Sequence, residues 1–310
     1  MIRFDRPVPR DGYAWWYVDA LSDDGRHALT LLAFIGSVFS PYYAAARGLG
    51  PDGAAPEDFI AINLALYGPR ANRWTMTERR RHSLRAEADS LAIGPSRLIF
   101  DAGGLAAEIA EWSNPLPRRV RGTLRLTPHA LEPTIYPLDA EGRHRWQPIA
   151  PCARIRVAFT EPDLAWEGNA YLDRNEGDEP IARAFRRWHW SRAPTRQGAA
   201  ILYHAERRDG GQTALALAFA AAGGATAFTP PPAAALPATR WRLARETRSD
   251  GAAATLIRNL EDTPFYARAR IAASLGGEPV EAVHETLDCD RLVHPAVQFM
   301  LPFRMPRRFI

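Results

Sequence analysis

Short alternating runs of apolar and polar residues dominate this chain. Residues 13–18, YAWWYV, place aromatic side chains on both faces of an extended segment. The turn signal Ser22-Asp23-Asp24-Gly25 then leads into ALTLLAFIGSVFS, which predicts the buried second strand of a β-hairpin. Further strands are predicted at 60–68, 73–78, 96–100, 120–126 and 155–159. Residues 105–112 are too few for periodicity to separate helix from strand. The stretch 44–58 is small, rich in Gly and Pro, and reads as a loop; 79–88 is basic and polar and reads as an exposed turn or hairpin tip. A second set follows at 185–191, 199–204, 213–219, 240–245, 255–259, 265–271 and 282–287, with the turn Arg208-Asp209-Gly210-Gly211 inside it and an Ala/Gly/Pro loop at 222–238. Two successive sets of short strands without βαβ alternation predict an all-β chain with few short helices. Open sheets of this size close or stack, so the expected architecture is two tandem antiparallel barrels or sandwiches, spanning 1–178 and 179–310.

Composition narrows the class. The 310 residues are 46% hydrophobic and 24% charged, as in an ordinary globular chain, and 26 prolines with 22 glycines suit many turns. Two cysteines, Cys152 and Cys289, exclude a disulfide framework and fit a reducing compartment. The N-terminal residues MIRFDRPVPRDG lack an apolar signal segment, and no run of about 18 apolar residues occurs. The expected location is therefore cytoplasmic, with peripheral membrane contact. The net charge of +4 comes without a basic run interleaved with aromatics, which argues against nucleic acid and is compatible with an anionic membrane surface.

The candidate chemistry sits in 166–180, WEGNAYLDRNEGDEP. In an extended segment Tyr171 and Asp173 share a face, and so do His144 and Trp146 upstream. An imidazole, an indole, a phenol and a carboxyl group are thus available to one pocket. Burial, and the acids Glu176, Asp178 and Glu179, would keep Asp173 protonated, as a general acid requires. Trp188 and Trp190 share a face in FRRWHWS and can offer ring faces to a substrate or a cation. No dinucleotide fingerprint, Walker loop, zincin motif or nucleophile elbow is present. No cofactor or metal is expected; the two classes left open are cofactor-independent catalysis and plain binding.

The runs GYAWWYVDALSDDGRHALTLLAFIGSVFSPYYA, ALYG, RWTMTER, GNAYLDRNEGDEPI, WHWSR and HPAVQFMLPFRMPRR resemble the carotenoid 1,2-hydratase (hydroxyneurosporene synthase) family over nearly the whole chain. The resemblance implies two lipocalin-like β-barrel domains. It also implies cofactor-independent addition of water across the terminal carbon 1–carbon 2 double bond of acyclic carotenoids such as neurosporene and lycopene, in bacterial spheroidene or spirilloxanthin synthesis. By motif position it points to His144, Trp146, Tyr171 and Asp173 as catalytic. On that basis Asp173 is the expected proton donor, oriented by Tyr171. Trp146, with Trp190, would stabilise a tertiary cation, and His144 would hold the attacking water and accept its proton. The polyene is expected inside an apolar barrel or tunnel. The C-terminal segment, with Phe299, Leu301, Phe303 and Phe309, is the expected membrane contact. The alternatives are a lipocalin-like carrier of apolar polyenes, and an isomerase or cyclase working through the same cation.

Overall fold

The computed structural model describes residues 2–49, 53–251 and 253–308, which divide into two compact units. The first runs to Pro180 and takes back the chain from Phe299 onward; the second is Ile181–Gln298.

The first unit contains β1 (Tyr13–Ser22), β2 (Ala28–Ile35), α1 (Pro41–Ala46), β3 (Ile60–Tyr67), β4 (Arg73–Arg79), β5 (Leu84–Ala86), β6 (Ser90–Ile93), β7 (Ser96–Asp101), β8 (Gly104–Trp112), β9 (Arg119–Pro128), β10 (Tyr136–Pro137), β11 (His144–Glu161) and β12 (Asp163–Gly177). Among the described residues they form one antiparallel sheet in the order β4-β3-β2-β1-β12-β11-β9-β8-β7-β6-β5, with β10 on β11. The sheet rolls up: β3 touches β6 and β4 touches β8 although neither pair is adjacent in the order. Its inner face is a continuous apolar core containing Trp16, Val18, Leu31, Ile62, Leu98, Leu124, Ile155 and Leu172. Branched aliphatic side chains pack along this inner face.

Strand β11 changes face twice. Its register against β12 shifts between Gln147 and Ala150 and again between Ala150 and Ala153, and these two stretches hold Pro148 and Pro151. Proline cannot donate to a ladder and is tolerated at bulges. The shifts let Ile149, Ala150 and Ala153 join the inner core while Trp146 lies on the other face.

The second unit contains α2 (Ile181–Ala184), β13 (Phe185–Thr195), β14 (Gly198–Arg207), β15 (Gln212–Ala220), β16 (Ala225–Ala227), β17 (Ala233–Leu236), β18 (Arg245–Arg248), β19 (Thr255–Asp262), β20 (Tyr266–Leu275), β21 (Glu278–Asp288) and α3 (Cys289–Leu292). A seven-stranded antiparallel sheet has the order β16-β15-β14-β13-β21-β20-β19, and β17 pairs with β18. Its inner face is apolar at one end, through Ala193, Leu202, Ile271 and Ala282. The other end is a polar network: Ser191 Oγ lies 2.8 Å from His284 Nδ1, and Thr286 Oγ1 lies 3.2 Å from His284 Nε2 and 3.0 Å from His189 Nδ1.

The fold is all-β and lipocalin-like, with few short helices. Several local expectations give way. The loop read at 44–58 begins inside α1 and ends in a 3-10 turn at Pro56–Asp58, and its residues 50–52 lie outside the described residues. The loop at 222–238 contains β16 and β17, and the alternation at 240–245 precedes β18 rather than forming a strand. The last element among the described residues is a helix, α4 (Pro295–Arg304).

Candidate functional site

Strands β1, β12 and β11 are neighbours, and their outward faces carry the site. Residues of β1 at even positions enter the core, so Tyr13, Trp15, Tyr17 and Asp19 point the other way. Register sets these opposite Gly177, Asn175, Asp173 and Tyr171 of β12. On the far side of β12, His144 is opposite Gly177 and Trp146 is opposite Asn175. Every one of these side chains is buried except the glycine's missing one.

Three predicted residues meet directly. The Tyr171 hydroxyl donates to Asp173 Oδ2 at 2.8 Å, and the Trp146 indole N–H donates to the same oxygen at 2.9 Å while lying 3.2 Å from the phenol oxygen. Asp173 is 4% exposed. The Tyr17 ring stands edge-on to Tyr171 with centroids 6.1 Å apart, and Tyr136 of β10 lies against Trp146 at 5.5 Å. The result is a buried carboxyl group set in an aromatic wall, with the phenol and indole donors converging on one of its oxygens.

His144 stands apart from that cluster. It lies four residues up β12 from Asp173 in register, roughly 13 Å at the rise of a strand. Its Nδ1 is 2.9 Å from the Tyr13 hydroxyl, its backbone N–H donates to Asp139 Oδ1 at 3.0 Å, and its Nε2 is 3.6 Å from Glu179 Oε1. Burial holds the imidazole below the usual histidine range, against the opposing pull of Asp139 and Glu179. Gly177 makes the Tyr13–His144 contact possible: a Cβ there would sit 2.3 Å from the Tyr13 ring and 2.7 Å from His144 Nδ1.

The acids expected to crowd Asp173 do not face it. The guanidinium of Arg145 bonds Glu176 at 2.9 Å and Asp178 at 2.7 Å, and it holds the Asp178 carboxyl below its ordinary range. Glu176 also pairs with Arg174, whose guanidinium lies 5.4 Å from the Trp16 ring on the core face. Glu179 serves His144 and Arg143. Alternation turns Glu176 to the other face of β12, and Asp178 and Glu179 lie past its last residue, Gly177.

Trp188 and Trp190 belong to the second unit. They lie on β13, both buried, on the face away from the polar network, and Trp188 packs against Phe185 and Tyr203 at 6.0 and 5.8 Å. Tyr13, Tyr17 and Asp19 were not singled out from the sequence, although the alternation of YAWWYVD placed them on one face. No group of three or more metal-ligating side chains with suitable placement occurs among the described residues.

Comparison with known proteins places the chain in a family. The profile of the carotenoid hydratase CrtC family matches residues 31–310. The acyclic carotenoid 1,2-hydratase of Rubrivivax gelatinosus is 51% identical over 308 residues, 99% of this chain and 76% of the relative. The enzyme of the same name from Cereibacter sphaeroides is 40% identical over 280 residues, 90% of this chain and 98% of the relative. In fold, a crystal structure of a Nitrosomonas europaea protein assigned as AttH superposes with a TM-score of 0.59 at 16% identity, covering 89% of this chain and 92% of the other. The chain belongs to the CrtC carotenoid hydratase family.

Proposed function

We propose that this protein is a hydratase that adds water across the terminal carbon 1–carbon 2 double bond of acyclic carotenoids, with Asp173 as the proton donor. The observation that carries the assignment to Asp173 is the pair of hydrogen bonds ending on its Oδ2 in a buried aromatic setting. A neutral carboxyl has one carbonyl-type oxygen that accepts and one hydroxyl that donates. With Oδ2 accepting from Trp146 and Tyr171, the proton belongs on Oδ1. Removal from water favours the neutral form.

An isolated alkene is a weak base, so protonation at carbon 2 needs a strong, water-shielded acid and gives the tertiary cation at carbon 1. The electron-rich faces of Trp146 and Tyr17 stabilise that cation where it forms. Tyr171 orients the acid. His144, neutral and bonded to Tyr13, closes the far end of the same row. Hydration leaves the carbon skeleton's overall redox balance unchanged, so the step calls for no redox cofactor.

The substrate class is membrane-borne, and we read the association as peripheral. No helix among the described residues is long and apolar enough to cross a membrane. Of the four side chains expected to touch lipid, Phe299 and Phe303 are 75% and 71% exposed, Leu301 is buried, and Phe309 lies outside the described residues.

The test is incubation of the pure protein with lycopene in detergent, read by mass. A product heavier by one water supports the reading; bound pigment recovered with unchanged mass and unchanged absorption spectrum makes the protein a carrier, and unchanged mass with an altered spectrum or retention makes it an isomerase or cyclase. Asp173→Asn is expected to lower turnover by about 10²–10⁴-fold, the usual worth of a general acid, while pigment still binds. Wild-type turnover in that variant removes Asp173 from the mechanism.

A further inference from the structure

Hydration needs two proton transfers: one onto the alkene, one off the attacking water. We propose that Asp19 accepts the proton of that water and that the hydroxyl of Thr30 holds the water in place; this rests on the hydratase reading above.

Asp19 is 0% exposed and lies on the same outward face as Asp173. Register puts it directly opposite Tyr171 on β12 and Thr30 on β2. Asp173 is therefore its diagonal neighbour, at roughly 7–8 Å between backbone positions. His144 is about 13 Å further along the neighbouring strand from Asp173. A water that attacks carbon 1 must sit within a few ångströms of the carbon protonated next to it, so the nearer carboxyl is the better placed base.

A second observation points the same way. Thr30 is 3% exposed, and its hydroxyl has no hydrogen-bond partner among the described residues. A buried hydroxyl without a partner costs free energy unless a water or ligand satisfies it. Strand alternation puts it on the face that carries Asp19, next to it in the ladder. Leu29, Leu31 and Ala33 of the same strand face the core.

The step balances as follows. The O–H bond of neutral Asp173 breaks as a C–H bond forms at carbon 2, leaving a carboxylate and a cation at carbon 1. The two buried acids share one proton, held by Asp173 at the start, because like charges on neighbouring carboxyls disfavour ionising both and burial disfavours charge on either; the water oxygen forms the C–O bond to carbon 1, and its O–H bond breaks as the proton passes to Asp19. The product is the tertiary alcohol. The proton on Asp19 returns to Asp173 through water entering for the next turnover.

The experiment uses the full chain with lycopene in D2O. Mass analysis follows both alcohol formation and deuterium incorporated into recovered lycopene, which reports protonation followed by loss from the cation. Asp19→Asn is expected to lower alcohol formation at least 100-fold while deuterium still enters the recovered pigment. Asp173→Asn is expected to lose both. Thr30→Val, a variant with no charge change, is expected to slow alcohol formation about 10-fold and to keep the exchange. Wild-type alcohol formation in Asp19→Asn or Thr30→Val overturns the assignment, and so does loss of exchange in a folded Asp19→Asn protein. If the wild-type chain itself yields no alcohol, the hydratase reading fails and not the assignment of the base alone.

Discussion

Tyr171 and Asp173 lie two residues apart on one strand, and the phenol of the first donates to the carboxyl of the second at 2.8 Å. Residues at i and i+2 share a face but ordinarily run parallel and away from the sheet. Here the Trp146 indole reaches across from the next strand to the same oxygen, so the phenol–acid pair is held from two sides. Tyr171→Phe removes one of the two donors and leaves the ring. Loss of one hydrogen bond to an acid is worth about 1–2 kcal/mol, so turnover should fall about 5- to 30-fold with pigment binding retained. Trp146→Phe removes both the other donor and the larger ring face, and it should cost more. Single-turnover hydration of lycopene by the two variants, side by side with binding titrations, checks the order.

Much of this arrangement was legible because a strand has a period of two. Tyr171 with Asp173 and His144 with Trp146 follow from spacing alone, once the segments are taken as extended. What spacing could not supply is register. Nothing in the order of residues says that Trp146 lies across from Asn175 rather than from Gly177, yet that offset brings the indole to Asp173 and takes His144 away. Asp19 stayed hidden for a related reason. Its strand is buried on both faces, so YAWWYVD shows no polar side to mark which acid faces a site. The helix at Pro295–Arg304 was unreadable because VQFMLPF has a single polar residue, Gln298, and contains Pro302; a run without a polar face has no period to detect.

The C-terminal segment is tied to the first unit by Glu78 and Arg307. Their side chains are 2.9 Å apart and almost wholly buried. The Arg307 guanidinium also lies 4.5 Å from the Phe59 ring, and Arg308 N–H donates to the Glu78 carbonyl at 2.9 Å. Removing one partner of a buried pair costs about 3–5 kcal/mol, so Arg307→Ala should lower the melting temperature by several degrees. The size should depend on pH. Burial pushes the Glu78 carboxyl up to about 7, against the pull of Ser40 and Arg307. Its folded value lies above its unfolded value near 4.5, so Glu78 favours the folded state most at low pH, and that contribution fades as pH rises from 4.5 through 7. The ion pair itself exists only when Glu78 is charged. The gap in melting temperature between wild type and Arg307→Ala should therefore be wider at pH 8 than at pH 5.5, measured by thermal unfolding at both.

Acid should weaken the second unit through its buried histidines. His284 is completely buried, bonded through Nδ1 to Ser191 and through Nε2 to Thr286; desolvation, helped by Arg245, brings it down to about 3. His189, facing His284, His204, Arg187 and Arg248, is also held well below its ordinary range, chiefly by burial. Unfolded histidine titrates near 6.5. Between about pH 3 and 6.5 the unfolded chain therefore binds protons that the folded chain refuses. Stability is fully kept above 6.5 and is lost as pH falls through that window. At pH 5 the loss from His284 alone is about 2 kcal/mol. Denaturant unfolding at pH 7.5 and pH 5 should show it, and His284→Gln should flatten the dependence. An unchanged slope in that variant would assign the acid sensitivity elsewhere.

The outward side of α4 carries the most exposed aromatic pair of the first unit. Phe299 and Phe303, four residues apart, meet edge-on with centroids 6.2 Å apart, and Met300 beside them is 44% exposed. Leu301 and Met305 face inward, and Arg304 lies 4.3 Å from the Trp74 ring. The inward contacts fix the helix, so its aromatic edge is presented without being needed for folding. Exposed Phe pairs flanked by arginine suit insertion at the headgroup boundary of an anionic bilayer. Phe299→Ser with Phe303→Ser should leave the melting temperature within about a degree, because surface changes away from packed contacts are worth at most about 0.5 kcal/mol. The same double variant should float less with vesicles containing anionic lipid. Hydration of lycopene embedded in those vesicles should fall with it, while hydration in detergent stays at the wild-type rate. Equal flotation of the two proteins would mean that this edge does not meet the membrane.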